Sequence, residues 1–137
     1  MKARLKVYCS ISNLPQIREF TRSNLREMEV VGKVSEQIVL AVDEACANAI
    51  IHQHSCDGCS CIELALYRNN EQVFIELKDT GKAFPIDTFE AKSTEERIKS
   101  HQRGGMGVFL IRSIMDTISI EQKKDYYIFK FIKNLNA

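Results

Sequence analysis

Apolar residues recur with two different periods along this chain, and the order of those periods restricts its fold more than any other feature. From Leu5 to Ile11 they alternate with polar residues, which is typical of a half-buried strand. They then recur every three or four residues from Leu14 to Met28, and again from Lys33 to His52, as in amphipathic helices. The chain is therefore predicted to begin with one strand and two helices.

The second half of the chain returns to the strand period. Two alternating runs, CIELALYR and EQVFIELKD, flank Asn69 and Asn70, and asparagine tolerates the positive φ of a tight hairpin turn. Later, an apolar helix, VFLIRSIMD, precedes two more strand-like runs, TISIEQ and YYIFKFIK. This order predicts an α/β (α+β) two-layer sandwich, in which helices cover one face of a mostly antiparallel mixed sheet.

The length and charge of the chain restrict its class. Its 137 residues suit a single domain, residues 1–137, and a net charge of +1 gives no indication of nucleic-acid or membrane-surface binding. The sequence has no apolar run of signal-peptide or transmembrane length, so we expect a cytoplasmic protein. The odd number of cysteines, five, suits reduced thiols better than a disulfide framework.

The second predicted helix carries polar side chains along one stripe of the segment DEACANAIIHQH. Glu44, Asn48 and His52 are four residues apart and so share a face. A glutamate can deprotonate a nucleophile, and an asparagine oxygen suits Mg²⁺. A solvated helix face is the competing interpretation, but small residues that leave room beside the helix flank the stripe: Ala41, Ala45, Cys46, Ala47 and Ala49.

Two glycine-containing motifs follow, and each alone is weak. The glycine box GGMG, Gly104 to Gly107, stands before a helix, where backbone N–H groups and the helix dipole favour a phosphate; a tight loop explains it equally well. Asp79 begins DTGKAF at a strand end, where a carboxylate can accept a hydrogen bond from an amine such as that of adenine. The competing interpretation of Asp79 is a turn acid that caps the strand.

In combination these motifs are specific. An E-x-x-x-N helix, a D-x-G motif after a strand pair, a polar excursion and a glycine-rich helix start resemble the GHKL ATPases, which share the Bergerat ATP-binding fold. Within that group, LAVDEACANAIIH, KDTGKAF and GGMGVFLIRSIMD are similar to the anti-sigma factor serine kinases. The similarity covers roughly residues 5 to 133.

The resemblance implies a role for each motif. Asn48 would coordinate the Mg²⁺ that bridges the nucleotide phosphates, and Glu44 would be the general base toward a serine hydroxyl. Asp79 would bind the adenine amine, and Gly81 would shape the pocket. The residues expected to bind the ATP phosphates are Gly104, Gly105, Met106 and Gly107, with Arg103 added because of its position beside them. The polar segment of residues 82–103 would be the ATP lid.

The resemblance also implies an activity and partners. Such proteins transfer the γ-phosphoryl group of ATP to a serine of an anti-anti-sigma (STAS-type) protein, and they hold a sigma factor inactive, usually as homodimers. One alternative is a regulatory module that binds nucleotide or a partner without turnover. Another is the catalytic domain of a histidine kinase, but this chain has no residues left for a helical phospho-acceptor domain.

Two features depart from the resemblance. Relatives often place a Thr on the last strand in support of the adenine-binding Asp; here KKDYYIFKF offers Tyr126, Tyr127 or a water instead. The second feature is a cluster with zinc-compatible ligands, His52, His54, Cys56, Cys59 and Cys61. A structural zinc site usually draws its second ligand pair from a distant segment, so a loop with reduced thiols is the competing interpretation.

Overall fold

The protein is described by a computed structural model over residues 2–53, 60–80 and 105–135. These residues form β1 (Lys2–Tyr8), a 3-10 turn (Ile11–Asn13), α1 (Leu14–Glu27), α2 (Lys33–Ala47), a π-helical turn (Asn48–Gln53), β2 (Cys61–Asn69), β3 (Gln72–Thr80), α3 (Gly105–Ile114), β4 (Thr117–Gln122) and β5 (Tyr126–Asn134). The order of elements is the one that the hydrophobic periods predict. None of the helices within these ranges is long and apolar enough to cross a membrane.

The five described strands form one sheet in the order β1-β2-β3-β5-β4. Each of its four strand pairs is antiparallel. The central strand, β3, pairs Asp79 with Ile62 of β2 on one side and with Tyr127 of β5 on the other. The predicted α+β sandwich is therefore confirmed, with a sheet that is entirely antiparallel over the described strands.

The core lies between one face of this sheet and the helices. Alternate residues of β2, β3 and β5 are buried there: Ile62, Leu64, Leu66, Val73, Ile75, Leu77, Tyr127, Phe129 and Phe131. α2 packs against both α1 and α3, and all three helices contribute buried apolar side chains to the same core. The opposite face carries charged and aromatic side chains, such as the Lys2–Glu76 ion pair and the stacked rings of Tyr67 and Phe74.

Two turns differ in detail from the sequence prediction. The first strand ends at Tyr8 rather than Ile11, because Ser10 accepts a hydrogen bond from the backbone of Ser12 and starts the 3-10 turn. In the hairpin, Asn69 pairs with Gln72, so the central turn residues are 70 and 71. Asn70 has the positive φ, +55°, that the asparagine pair predicts.

Candidate nucleotide site

Glu44 and Asn48 lie on consecutive turns at the end of α2. The backbone N–H of Asn48 donates to the carbonyl oxygens of Glu44 and Ala45, so helical geometry continues through this position. The two side chains consequently share one face of the helix, as their spacing predicts. Glu44 is half-buried, whereas Asn48 is only 5% exposed.

The Asn48 amide is a buried polar group in need of a partner. Its Nδ2 is inaccessible to solvent and has no hydrogen-bond partner within the described residues. An unsatisfied buried donor costs about 1–3 kcal/mol, so such a group calls for a ligand or another polar contact. The amide can rotate by half a turn, which places either its oxygen or its nitrogen at this point.

The sequence predicts a regular helix from Lys33 to His52, but α2 is shorter than this. It ends at Ala47, and a π-helical turn, Asn48–Gln53, takes its place. π-turns are rare and occur frequently at functional sites. The wider turn starts at the residue with the unsatisfied amide, which supports Asn48 as a site residue.

The small residues around Glu44 and Asn48 mostly serve the core. Four of them are at most 3% exposed and belong to the core cluster: Ala41, Ala45, Cys46 and Ala49. Ala47 is half-buried. The small size of the first four lets neighbouring elements pack closely, and the expectation that all five leave space beside the helix stays a prediction.

Asp79 lies at the end of β3 with its carboxylate turned into the core. It is 1% exposed, and the hydroxyl of Tyr127 donates a hydrogen bond of 2.9 Å to its Oδ2. Tyr127, itself 1% exposed, therefore takes the place of the Thr that the resemblance implies. Tyr126 points to the other face of the sheet, where Lys78 Nζ lies 4.5 Å from the centre of its ring. The alternation of Tyr127 with Phe129 was the signal in the sequence that distinguishes the two tyrosines.

Two buried thiols, Cys9 and Cys46, complete this part of the site, and no pattern in the sequence indicates their proximity. Burial, first, and then the charges of Asp43 and Asp79 raise the pKa of Cys46 well above its usual range, and Cys9 contributes in the same direction. Burial, then the charge of Asp79 and the hydrogen bond to it, likewise raise the pKa of Tyr127. The charge of Asp79, at the end of β3, therefore acts on a side chain of α2, the helix that has Asn48 as its C-cap and contacts β3.

The glycine box opens the third helix. Gly105 and Gly107 lie in the first turn of α3, and α3 packs against α2. The N-terminal N–H groups and the positive end of the helix dipole suit an anion such as a phosphate. For Met106 only the backbone is described, and Gly81, Arg103, Gly104 and the predicted lid, residues 82–103, lie outside the described residues.

The predicted zinc ligands are mostly outside the described residues too. This applies to His54, Cys56 and Cys59, and for His52 only the backbone in the π-turn is described. Cys61 is a half-buried free thiol at the start of β2, opposite Tyr8. Over the part of the chain that the structure covers, no group of three or more His, Cys, Asp or Glu side chains could hold a metal ion. The zinc site remains a prediction.

The chemistry of these donors is compatible with a nucleotide. A buried carboxylate suits an amino group, a helix start suits phosphates, and an amide oxygen beside a carboxylate suits Mg²⁺. Among the described residues, the buried Nδ2 of Asn48 has no hydrogen-bond partner, which is the observation that most favours a ligand here.

Comparison with known families agrees with this geometry. The histidine kinase-like ATPase domain family matches residues 10–131, and the chain belongs to this family.

Individual relatives are protein kinases. The chain is 31% identical over 94 residues to the serine-protein kinase RsbW of Halalkalibacterium halodurans, which is 66% of this chain and 56% of that protein. It is 26% identical over 92 residues to the serine-protein kinase RsbW of Oceanobacillus iheyensis, covering 64% of this chain and 58% of that protein. The chain thus spans less than two thirds of the length of these relatives.

Solved structures share the fold. The RsbU and RsbW domains of Rv1364c from Mycobacterium tuberculosis superpose with a TM-score of 0.71 at 15% identity, over 98% of this chain and 32% of that one. The SiaB-SiaC complex from Pseudomonas aeruginosa gives 0.69 at 11% identity, over 95% and 89%. At such identities the likeness concerns the fold alone.

Proposed function

We propose that this protein is an ATP-dependent protein serine kinase and anti-sigma factor that acts by partner switching. The observation that carries the proposal is the pair of Glu44 and Asn48 on one helix face, with the Asn48 amide buried and unsatisfied within the described residues. A scaffold needs neither an acid nor an unsatisfied amide at this point. The similarity to relatives named as serine-protein kinases supports the same activity.

The proposed mechanism assigns one task to each side chain. Glu44 accepts the proton of the acceptor serine as its hydroxyl oxygen attacks the γ-phosphorus of ATP. The bond from the γ-phosphorus to the bridging oxygen breaks, and ADP leaves. Asn48 would supply an oxygen ligand to Mg²⁺, which neutralises phosphate charge when bound. Asp79 fixes the adenine, and the start of α3 holds phosphate oxygens.

The proposed partners follow the same resemblance. The acceptor serine would belong to an anti-anti-sigma (STAS-type) protein, and the unphosphorylated partner and a sigma factor would compete for the kinase, which would be a homodimer. One solved neighbour is described as a complex of SiaB with SiaC, and it supports a protein partner for this fold. Capture of partners on the immobilised protein, with ATP and then with ADP, tests this by mass spectrometry.

The kinase assignment is tested with labelled ATP and a captured partner. We expect Asn48→Ala to abolish binding of Mg·ATP, because the buried amide oxygen is lost. Glu44→Gln should keep nucleotide binding and lower phosphoryl transfer by about 100-fold or more, the usual contribution of a positioned base. Glu36→Gln is the matched control, since Glu36 lies in the first turn of α2 and its ion pair with Arg22 is exposed.

Phosphoryl transfer at the wild-type rate in both Asn48→Ala and Glu44→Gln would contradict the kinase assignment. Binding of ATP by the wild-type protein without transfer to any captured partner would support a non-catalytic regulatory module instead.

A further inference from the structure

The side chain of Asp79 is almost completely buried, although a carboxylate that caps a strand end can do so while exposed to solvent. Both Asp79 and Tyr127 are 1% exposed, and they face each other directly in the register of β3 and β5. A buried carboxylate needs hydrogen-bond donors to offset its lost hydration. The Tyr127 hydroxyl, 2.9 Å from Oδ2, is such a donor and comes from the neighbouring strand.

The Tyr127 hydroxyl is the donor in this hydrogen bond, and Asp79 Oδ2 is the acceptor. The titratable groups that act on the Tyr127 hydroxyl are Asp79 on β3, Cys46 on α2 and Cys9 after β1. Burial and these neighbours all raise the pKa of the tyrosine, so the hydroxyl keeps its proton at neutral pH. Because the hydroxyl donates to Asp79, the carboxylate is held as the acceptor of the pair.

We propose that Tyr127 is a positioning residue for base selection, whose hydroxyl holds Asp79 as an acceptor for the amino group of adenine. The proposal rests on the proposed nucleotide site and adds the origin of its selectivity. Adenine presents a 6-amino donor to such a carboxylate, whereas hypoxanthine presents a 6-keto acceptor at the same position. An acceptor that is fixed in place repels the keto base and binds the amino base.

Tyr126 provides the matched control for this role. It precedes Tyr127 in the chain and has the same chemistry, but it lies on the opposite face of the sheet beneath Lys78. Loss of its hydroxyl should therefore leave base selection unchanged. A general effect of tyrosine removal on the sheet would be common to both positions.

The test compares the affinities for ADP and IDP by calorimetry with Mg²⁺ present. The two bases differ in the 6-substituent, amino against keto, and in the hydrogen that hypoxanthine carries on N1. We expect the wild-type protein and Tyr126→Phe to bind ADP at least about tenfold more tightly than IDP. In Tyr127→Phe the ratio should fall to within about twofold, because the carboxylate loses a hydrogen bond that helps to orient it. A purely structural role for Tyr127 would weaken both ligands equally and leave the ratio unchanged.

Asp79→Asn gives a second measurement, and it decides the matter if Tyr127→Phe fails to fold. Its amide oxygen accepts from Tyr127, which leaves the NH₂ group for the base, so the preference should invert toward IDP. An unchanged ADP/IDP ratio in Tyr127→Phe, or a retained preference for ADP in Asp79→Asn, would overturn the role of Tyr127 while leaving nucleotide binding intact. A wild-type protein that binds neither nucleotide would overturn the proposed function as well.

Discussion

Cys46 and Tyr127 are neutral acids buried beside carboxylate charge, and this makes stability depend on alkaline pH. The usual pKa is 9.0 for the thiol and 10.0 for the phenol, and in the folded protein both pKa values are raised, chiefly by burial. Above pH 9 the unfolded chain loses these protons while the folded chain keeps them. Unfolding is then favoured, so the free energy of unfolding falls as the pH rises.

The expected size of this effect is about 1.4 kcal/mol per pH unit for each group, as an upper limit. Urea unfolding at pH 8 and at pH 10 measures it. Cys46→Ala should be less stable at pH 8 because of its cavity, yet lose less stability than the wild-type protein between the two pH values. Equal losses in the two proteins would show that the thiol does not contribute.

For individual residues, the sequence predicts relative positions where local spacing alone determines them. The four-residue spacing of Glu44 and Asn48 requires only helical geometry, and the position of Asp79 requires only the end of a strand. The partner of Asp79 and the approach of Cys46 depend on strand register and on helix packing. Those are contacts between distant parts of the chain, and no local pattern determines them.

The connection from α1 to α2 contains two residues with positive φ, and they predict opposite effects of substitution. Gly32, before the first residue of α2, has φ +77° and ψ −149°, a conformation that is essentially restricted to glycine. A Cβ at this position would meet no atom within 4 Å, so the cost of Gly32→Ala is backbone strain alone. We expect a destabilisation of about 1–3 kcal/mol.

Glu29 is the matched control for Gly32. It has φ +62° just after the end of α1, so Glu29→Gly removes strain instead of adding it. The change should be neutral or should stabilise the protein by up to about 1 kcal/mol. Urea unfolding at neutral pH measures both variants, and a destabilisation by Glu29→Gly equal to that by Gly32→Ala would refute the conformational argument.

The elements themselves were predictable, but their ends were less so. Hydrophobic periods identify the helices and strands because each buries one face, whereas an end depends on a few local hydrogen bonds. Ser10 ends the first strand early in this way. The π-turn at Asn48 is more instructive, because the sequence around it continues the helical pattern without interruption. At this turn the backbone departs from the α-helical preference of the local sequence, and such departures are expected at functional sites.

The whole molecule brings together residues that are far apart in sequence. Glu44 and Asn48 come from the second helix, Asp79 from the central strand, and Tyr127 from the strand beside it. A ligand that contacts both α2 and β3 bridges the two layers of the sandwich. Nucleotide binding should therefore stabilise the entire fold rather than one loop.

Bound Mg·ADP should therefore raise the free energy of unfolding of the whole domain. Mg·ADP at 100 times its dissociation constant should add about 2.7 kcal/mol to the free energy of unfolding. For a chain of this size, that raises the melting temperature by on the order of 5–10 °C. Scanning calorimetry with and without Mg·ADP measures the shift, and Glu44→Gln should retain it because the base is not needed for binding.

Asn48→Ala separates binding at this site from a general effect of the nucleotide. It removes the proposed ligand of Mg²⁺ and should show no shift at the same Mg·ADP concentration. It also removes a buried amide whose Nδ2 has no partner among the described residues, so its melting temperature without nucleotide should be close to that of the wild-type protein or above it. A full shift in Asn48→Ala would place the nucleotide elsewhere on the molecule, since no contact with the side chain of Asn48 would then be required.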